Sequence, residues 1–356
     1  MNQLPALRAL SGPVLITGHS GFKGTWLTLL LERLGIEVVG FSLSPEKDSL
    51  FDRAGRTGAI SEVFADIRDY ERLNSYINSV KPSAIIHMAA QPLVLESYRL
   101  PKDTFDVNVM GTVNVLDSAF KTDSVKAVVV VTTDKVYRND NSGRAFIESD
   151  PLEGKDPYSA SKVGTEAAVA AWQQIQRTSG GPKVVAVRAG NVIGGGDWGD
   201  NRLLPDLIRS FSSGQKMAVR NPASTRPWQH VLDPLSGYIS TLEAVLNDEK
   251  ITSINFGPDT KSIAVSEVVE VAVKTWGLST DIELDSSVQN NTAEAVSLDL
   301  NPDYAKHSLG WEPCWSQEEA VISTVQWWNK VLNQRAKPVD ACLDDLSQIL
   351  SQKYIS

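Results

Sequence analysis

The sequence predicts a doubly wound α/β fold, in which a parallel sheet is covered by helices on both faces. The first half of the chain alternates short apolar runs with stretches whose apolar groups recur at helical spacing. The apolar runs are continuous, which indicates strands that are buried on both faces. Because crossovers between parallel strands are right-handed, this alternation gives a doubly wound sheet.

Six apolar runs are expected to form the strands of this sheet. The first ends in a glycine turn, and the fifth carries four consecutive valines. In chain order they cover residues 13–18, 36–43, 59–66, 84–90, 125–133 and 183–190. The clearest helices are expected over 22–34, over 104–120 and from about Tyr158 onward.

The pattern changes after Gly190, where a polar, glycine-rich loop begins. Beyond it, short helices and strands follow one another without strict alternation. We therefore expect a dinucleotide-binding domain over 1–190. A smaller, irregular α/β domain over 191–356 would mainly hold the substrate, and some of its segments could return to the first sheet. Its last segment, 336–356, is expected to be a packed or fraying helix.

Composition narrows the function. The 356 residues are 42% hydrophobic and 22% charged, which is ordinary for a globular protein. The net charge of −9 argues against general attraction to nucleic acid or membranes, and we find neither a membrane span nor a signal peptide. The two cysteines, Cys314 and Cys342, favour a reducing cytoplasm. The four histidines are scattered, so no metal site is expected.

A glycine turn carries the first functional signal. Gly18, Gly21 and Gly24 lie between the first strand and the first long helix. Glycines permit a tight turn and the close approach of backbone N–H groups to a pyrophosphate, and the helix N-terminus adds partial positive charge. The turn could also hold no ligand. Its position after the first strand favours a dinucleotide site, which would include the intervening residues His19, Phe22 and Lys23.

The ribose and adenine contacts are less regular. Many NAD sites place an acidic residue about 20 positions after the turn to bind the ribose diol. Here Ser42 stands at that position, so no carboxylate is available. Asp66 and Ile67, at the end of the third strand, are expected to flank the adenine. Asp66 or Asp69 could equally serve as a helix N-cap.

Tyr158 and Lys162 are the candidate catalytic pair. Their i, i+4 spacing places both side chains on one helical face. A tyrosine with a pKa of about 10 is a poor base, and lowering that pKa to 7 requires about 4 kcal/mol. A neighbouring ammonium and an oxidised nicotinamide ring could supply this stabilisation. This spacing alone occurs by chance in many helices, but the presence of the glycine turn strengthens the interpretation of the pair as catalytic.

Taken together, these motifs resemble the extended short-chain dehydrogenase/reductases, whose dinucleotide domain is a Rossmann fold. The resemblance spans nearly the whole chain, in family order, over 17–24, 65–69, 87–94, 108–116, 131–137, 158–162 and 188–198. Within that group the chain resembles the nucleotide-sugar 4,6-dehydratases. Its branch of CDP-glucose 4,6-dehydratases is the most similar, on residues 89–94, 132–137, 191–198 and 255–258.

The resemblance implies an NAD-dependent lyase that converts CDP-D-glucose to CDP-4-dehydro-6-deoxy-D-glucose and water. Tyr158 would take the C4 hydroxyl proton while hydride leaves C4 for NAD⁺, with Lys162 and Thr133 orienting and tuning that step. A base would then remove the C5 proton, an acid would protonate the departing C6 hydroxyl, and hydride would return to C6. Asp134 matches the family's general acid.

Lys135 departs from the related dTDP-glucose branch, which carries a glutamate base at this position. A lysine with a pKa of about 10.4 is charged and cannot abstract a proton. Lys162, the nicotinamide cation and burial would each lower that pKa. Lys135 is therefore expected to be either a base with a lowered pKa or an electrostatic stabiliser of the enolate. Asp134 and Lys135 could also form a simple surface ion pair.

The resemblance also implies further contacts. It assigns cofactor contacts to Ala89, Ala90, Gln91, Asn108 and Thr132. Candidate substrate contacts are Gln91, Ser97, Asn191, Arg202 and Arg226. A guanidinium suits phosphate oxygens, and Arg226 is expected at the diphosphate, although either arginine could be a solvated surface charge. A homodimer or homotetramer is expected, with the product feeding deoxysugars of surface polysaccharide such as lipopolysaccharide O-antigen.

Three alternatives stay open. The chain could be a dTDP- or GDP-sugar 4,6-dehydratase, a related 4-epimerase or reductase, or a non-catalytic dinucleotide-sensing scaffold. Epimerases usually carry small residues at the position of Asp134, so the Asp134–Lys135 pair favours dehydration. A scaffold has no use for Thr133, Tyr158 and Lys162 together.

The residues around the glycine turn also suggest how tightly the cofactor binds. Relatives often carry a small residue where this chain has His19, so its ring is expected to hold the pyrophosphate off. Ser42 provides no carboxylate for the ribose diol, and His19 and Lys23 could tolerate a 2′-phosphate. We therefore expect NAD⁺ to bind loosely and NADP⁺ to be accepted in part.

Overall fold

A computed structural model describes residues 4–139, 142–214, 219, 221–278 and 298–354. In chain order, the strands are β1 (Val14–Thr17), β2 (Val38–Ser42), β3 (Ser61–Phe64), β4 (Ala84–His87), β5 (Ala127–Val131), β6 (Ala145–Phe146), β7 (Lys183–Ala189), β8 (Val192–Ile193), β9 (Thr225–Arg226), β10 (Gln229–His230), β11 (Ser253–Phe256), β12 (Ile263–Ala264) and β13 (Asp299–Leu300). Seven of them form the main sheet, and the rest pair two by two.

The α-helices are α1 (Pro5–Arg8), α2 (Phe22–Arg33), α3 (Leu50–Arg53), α4 (Tyr70–Val80), α5 (Val94–Arg99), α6 (Pro101–Phe105), α7 (Gly111–Phe120), α8 (Pro157–Ser179), α9 (Leu203–Ser213), α10 (Leu232–Leu246), α11 (Val265–Trp276), α12 (Asp303–Leu309), α13 (Gln317–Leu332) and α14 (Pro338–Ile349). Three short turns complete the described structure. They are π-helical over Asp106–Met110 and Leu350–Tyr354 and 3₁₀ over Asp134–Val136.

The main sheet confirms the predicted fold class. Its strand order is β11-β7-β5-β4-β1-β2-β3, and every neighbouring pair is parallel. The order in which strands are added reverses between β1 and β4, because β2 and β3 lie on one side of β1 and the strands from β4 onward lie on the other. Doubly wound folds bind their ligands at this point. All six predicted strands are present with slightly shorter bounds. The seventh, β11, comes from the second half of the chain, so a segment beyond Gly190 does return to the first sheet.

The sheet separates two hydrophobic layers. Ile16, Ile86 and Val129 pack into the layer on one face. Leu15 and Val128, on neighbouring positions, pack into the layer on the other face. Since successive side chains of a strand point to opposite faces, both faces need apolar residues. This explains why the strands appear as continuous apolar runs.

The C-terminal helices pack on the body of the protein. In α14, Cys342, Leu346 and Ile349 are buried, so the predicted terminal helix is a packed one. Trp327 and Trp328 of α13 are also fully buried in the core. Among the helices that the structure describes, none is long and apolar enough to cross a membrane.

Candidate active site

The glycine turn joins β1 to α2 at the reversal point of the sheet. Gly18 has a φ of +77°, and a Cβ added there would lie 2.8 Å from the backbone nitrogen of Ala89. A Cβ on Gly24 would lie 2.1 Å from the Gly18 carbonyl oxygen. Gly21 is the N-cap of α2, so the first N–H groups of that helix open toward the turn. The turn therefore fits a dinucleotide diphosphate.

The His19 ring is directed away from this turn. It has no exposed surface, and its Nε2 lies 2.7 Å from Oε2 of Glu62 on β3. Its Nδ1 lies 2.5 Å from where a Cβ of Gly40 would be, so the glycine on β2 makes the space that the ring fills. Burial lowers the pKa of His19. The expected steric contact with the pyrophosphate is therefore not made by this ring.

Replacing His19 with glycine is accordingly expected to destabilise the protein without tightening NAD⁺ binding. The substitution leaves a cavity beside β2 and removes the partner of Glu62 Oε2, while Oε1 keeps its hydrogen bond from the Gly58 backbone nitrogen, and this costs about 1–3 kcal/mol. Thermal unfolding of the ligand-free protein and calorimetric titration with NAD⁺ measure the two effects. An unchanged melting temperature with tighter NAD⁺ binding would restore the steric explanation.

At the predicted adenosine end of the site, Ser42 and Asp66 both have partners within the protein. The Ser42 hydroxyl is buried and donates to Oγ of Ser20 at 2.7 Å. Asp66 pairs with Arg68, whose guanidinium holds the pKa of that carboxyl below its usual range. The N-cap of α4 is Asp69, not Asp66. Ile67 is buried against Gly111.

A well-capped helix places Tyr158. Asp156 is the N-cap of α8 and accepts a hydrogen bond from the Ser159 backbone nitrogen at 2.9 Å, with Pro157 at the first helical position. Tyr158 therefore lies in the first turn, with only 8% of its surface exposed. Lys162 follows one turn later, as its spacing predicts, and its Nζ donates to the Val131 carbonyl at the end of β5 at 3.1 Å.

The pKa of Tyr158 reflects opposing effects. Burial and, to a smaller extent, the charge of Asp134 raise it above its usual value, while the charge of Lys135, a hydrogen bond with Thr133 and the charge of Arg202 lower it. The cation with the largest lowering effect is thus Lys135, whereas the sequence suggested Lys162. Burial also lowers the pKa of Lys162 to about 8.

Asp134 is buried beside this tyrosine, so the alternative of a surface ion pair does not apply. The carboxylate is 2% exposed and accepts a hydrogen bond from the Thr133 hydroxyl at 2.9 Å. Its Oδ1 lies 3.6 Å from Nζ of Lys135, which is itself partly buried. A Cβ on Gly190 would lie 3.3 Å from its Oδ2, so the glycine leaves room around the acid.

A buried network of polar side chains lies next to the candidate catalytic residues, and it was not predicted from the sequence. Glu166, one turn beyond Lys162 on α8, forms a two-pronged ion pair with Arg188 of β7 at 2.8 and 2.9 Å. It also accepts a hydrogen bond from the Thr132 hydroxyl at 2.6 Å. Its negative charge raises the pKa of Lys162 against the effect of burial. The i, i+4 spacing of Lys162 and Glu166 in the sequence could have predicted that these two side chains lie close together.

Of the two candidate arginines, the structure brings Arg202 to the tyrosine. Two hydrogen bonds of 2.9 Å to Asp197 hold its guanidinium, and the charges of Arg202 and Tyr158 affect each other's pKa. Arg226 lies on β9, is 9% exposed and donates to the Thr225 carbonyl at 2.7 Å. The backbone carbonyl of Asn191 accepts a hydrogen bond from the Gln229 backbone nitrogen.

Several other residues that were predicted to contact the cofactor or the substrate form hydrogen bonds within the protein. Ser97 has no exposed surface, and its hydroxyl accepts from the Tyr158 backbone nitrogen at 3.1 Å. Asn108 donates to Ser161 of α8 at 2.8 Å, and its side-chain oxygen accepts from the Gln91 backbone at 2.8 Å. The Gln91 side chain donates to Thr104 at 2.9 Å. These groups therefore hold the segment after β4 against α8, and Ala89 and Ala90 lie where that segment passes the turn.

Known proteins are similar to this chain over most of its length. Residues 14–257 match the model of the NAD dependent epimerase/dehydratase family. The CDP-glucose 4,6-dehydratase of Salmonella typhimurium strain LT2 is 41% identical over 323 residues, which are 88% of this chain and 89% of that protein. The UDP-glucose 4-epimerase of Halalkalibacterium halodurans is 26% identical, over 89% of this chain and 95% of that protein.

Solved structures share the fold at lower identity. The dTDP-glucose 4,6-dehydratase DesIV of Streptomyces venezuelae, with NAD and TYD bound, superposes with a TM-score of 0.77 at 24% identity, over 92% of this chain and 99% of that one. The UDP-glucose 4-epimerase of Thermotoga maritima gives 0.76 at 20% identity, over 90% and 99%. On the match of its residues 14–257, this chain belongs to the NAD dependent epimerase/dehydratase family.

Proposed function

We propose that the protein is an NAD-dependent hydro-lyase that converts CDP-D-glucose to CDP-4-dehydro-6-deoxy-D-glucose and water. The observation that carries this proposal is the buried carboxylate of Asp134 beside Thr133, Lys135 and Tyr158. A 4-epimerase needs no acid at this place, whereas loss of water from C6 needs one. The relative at 41% identity supports CDP-glucose as the substrate.

Tyr158 removes the proton of the C4 hydroxyl in this proposal. Thr133, Lys135 and Arg202 favour its ionised form, against the effects of burial and of the Asp134 charge. When bound, NAD⁺ supplies the hydride acceptor for C4 and later the hydride for C6. Its positive ring would add to the charges that stabilise the tyrosinate. Lys162, whose Nζ donates to the Val131 carbonyl, orients the cofactor on the side of its site that faces the sugar.

Asp134 protonates the departing C6 hydroxyl in this proposal. A carboxyl that is 2% exposed can give its proton directly to a bound sugar. The Thr133 hydroxyl holds its Oδ1, and Gly190 leaves space at its Oδ2. Arg226, Asn191 and Arg202 remain our proposed contacts to the substrate diphosphate and sugar.

In this proposal Lys135 stabilises the C5 enolate with its positive charge, and the C5 proton passes to a base other than Lys135. Its Nζ lies 3.6 Å from Oδ1 of Asp134, the proposed acid for C6, so a positive charge here is close to the reacting carbons. The Lys135→Met variant should therefore still exchange the C5 proton of the 4-keto sugar with deuterated solvent, at a reduced rate. Complete loss of exchange, with C4 oxidation retained, would instead assign the base to Lys135.

The proposed activity is tested by incubating the protein with NAD⁺ and CDP-glucose. We expect a 4-keto sugar, which alkali converts to an absorbing species, and mass loss equal to one water. The same assay with dTDP- and GDP-glucose or mannose compares the bases. Inverted C4 stereochemistry without water loss would show a 4-epimerase, and bound cofactor without turnover of any sugar would show a scaffold.

We also propose that the protein is a homodimer or a pair of dimers. Five large apolar side chains on α5, α6 and the segments next to them are each at least 40% exposed, namely Leu95, Tyr98, Leu100, Phe105 and Met110. Ile175 of α8 is exposed to a similar extent. Such a group of apolar side chains favours burial against a second copy. The cytoplasm and a role in deoxysugars of surface polysaccharide remain parts of the proposal, and both cysteines are free thiols.

A further inference from the structure

A buried ion pair lies next to the candidate catalytic residues, and the proposed reaction does not use it. Glu166 of α8 and Arg188 of β7 are only 7% and 3% exposed. Two hydrogen bonds of 2.8 and 2.9 Å join them. Replacing such a buried pair with apolar residues of similar volume is often neutral or stabilising, so stability alone does not explain its presence. Its hydrogen bonds to the neighbouring chain provide an explanation.

The pair binds the chain just before residues 133–135, here called the catalytic segment. The hydroxyl of Thr132 donates to Oε1 of Glu166 at 2.6 Å. One helical turn earlier on α8, Nζ of Lys162 donates to the Val131 carbonyl at 3.1 Å. Two consecutive turns of α8 therefore fix the end of β5, from which the catalytic segment begins.

The same pair binds the chain just after the catalytic segment. Nη1 of Arg188 donates to the Tyr137 hydroxyl at 2.7 Å, and that hydroxyl donates to Oδ1 of Asn255 on β11 at 2.8 Å. The Tyr137 side chain is buried. Between the two attachments the chain forms the short 3₁₀ turn over Asp134–Val136. One ion pair therefore holds the chain on both sides of the catalytic segment.

Tyr158 is placed by different contacts. Its backbone nitrogen donates to the Ser97 hydroxyl at 3.1 Å, and Asp156 caps the helix that carries it. These hydrogen bonds involve neither Glu166 nor Arg188. Loosening the catalytic segment would therefore move the proposed acid relative to the proposed base.

We propose that the Glu166–Arg188 pair positions Asp134 for protonation of the C6 hydroxyl by holding both ends of the catalytic segment. Both members of the pair are positioning residues that act through Thr132 and Tyr137. This inference rests on the dehydration proposed above, because C6 is protonated only in that reaction.

Two variants remove one attachment each and leave the ion pair in place. In Thr132→Val, Glu166 keeps both hydrogen bonds from Arg188, so no buried charge loses its partner. The effect of the Glu166 charge on Lys162 is also kept. Tyr137→Phe removes the attachment on the other side. Each variant should slow water loss by about 10- to 100-fold, because a small misplacement of a reacting group has an effect of this size.

A third variant changes the pair itself and keeps its charge. The guanidinium of Arg188 binds Glu166 through two nitrogens and Tyr137 through the third. The single ammonium of Arg188→Lys cannot reproduce this fork. The variant should therefore slow water loss as Thr132→Val and Tyr137→Phe do. Melting temperatures identify any variant that does not fold.

Two measurements separate positioning from a role in folding alone. Single-turnover mixing with NAD⁺ and CDP-glucose follows reduced nicotinamide by absorbance and water loss by mass. C4 oxidation should slow less than water loss, so reduced nicotinamide should accumulate in all three variants. Amide hydrogen exchange of the ligand-free proteins should be faster in peptides that cover residues 132–138 and unchanged in peptides from β1.

Thr324→Val is the matched control. It removes a similarly buried hydroxyl from α13, where that hydroxyl donates to the Ala320 carbonyl, and should change neither measurement. The proposal is overturned if a folded variant loses water at the natural rate, if exchange over 132–138 is unchanged, or if exchange rises equally throughout the chain. Failure of the proposed function gives a different result, because the natural protein would then release no water from CDP-glucose.

Discussion

Replacing Tyr158 with phenylalanine is expected to slow C4 oxidation by about 10²–10⁴-fold. The hydroxyl is the only group of this side chain that can accept the substrate proton. Without it, no reduced nicotinamide should form during a single turnover. Absorbance of reduced nicotinamide, followed after mixing enzyme, NAD⁺ and sugar nucleotide, measures the step directly.

Stability should change little in this variant. The aromatic ring remains in place, and the lost hydrogen bond with Thr133 contributes about 1 kcal/mol. Tyr304→Phe, at an exposed position on α12, is the matched control and should keep full activity. A Tyr158→Phe enzyme that retains a tenth of the oxidation rate would remove Tyr158 from its role as base.

The pH profile provides a second measure of the same residue. The active form of Tyr158 is ionised, so the rate should rise with pH until the pKa of the tyrosine in the complex is passed. Thr133 lowers that pKa through its hydrogen bond. Thr133→Val should therefore move the rising part of the profile to higher pH, whereas a role of Thr133 in folding alone would leave its position unchanged.

The strands and the catalytic pair were predictable because their signals are local. Continuous valines such as those of β5 identify a strand buried on both faces, and four residues of spacing suffice to place Tyr158 and Lys162 together. The turn was predictable for the same reason. The backbone contacts of Gly18 and Gly24 leave no space for a Cβ, whatever the rest of the chain does.

Side-chain direction around the turn depends on distant residues and was therefore missed. His19 turns inward because Gly40 on β2 leaves a space and Glu62 on β3 offers a partner. Lys23 turns toward α10 because Tyr238 accepts its hydrogen bond. Neither partner adjoins the turn in sequence, so the pattern of the turn alone could not predict these directions.

The position of Arg202 also depends on residues that are distant from it in sequence. Its loop is anchored by tryptophans, since Trp26 donates to the Gly195 carbonyl at 2.9 Å and a Cβ on Gly195 would clash with the Trp327 ring. This anchoring, together with Asp197, aims Arg202 at Tyr158. A glycine-rich loop can follow many paths, and here packing against aromatic residues from α2 and α13 selects one.

Replacing Asp134 with asparagine is expected to separate the two halves of the reaction. C4 oxidation depends on Tyr158 and should continue, while loss of water should slow by about 10²–10⁴-fold because an amide cannot donate the required proton. Reduced nicotinamide should then accumulate on the enzyme. This outcome is the opposite of that expected for Tyr158→Phe, in which no reduced nicotinamide forms.

The geometry around Asp134 makes the substitution a clean test. Asparagine keeps the shape of the side chain and can still accept the hydrogen bond from Thr133 through its oxygen. Asp123→Asn, at an exposed position before the other end of β5, serves as the matched control for lost charge. Because a 4-epimerase would need no acid here, full turnover by Asp134→Asn without water loss would contradict dehydration. Accumulated reduced cofactor with an intact C6 hydroxyl would instead show that elimination requires this one buried carboxyl.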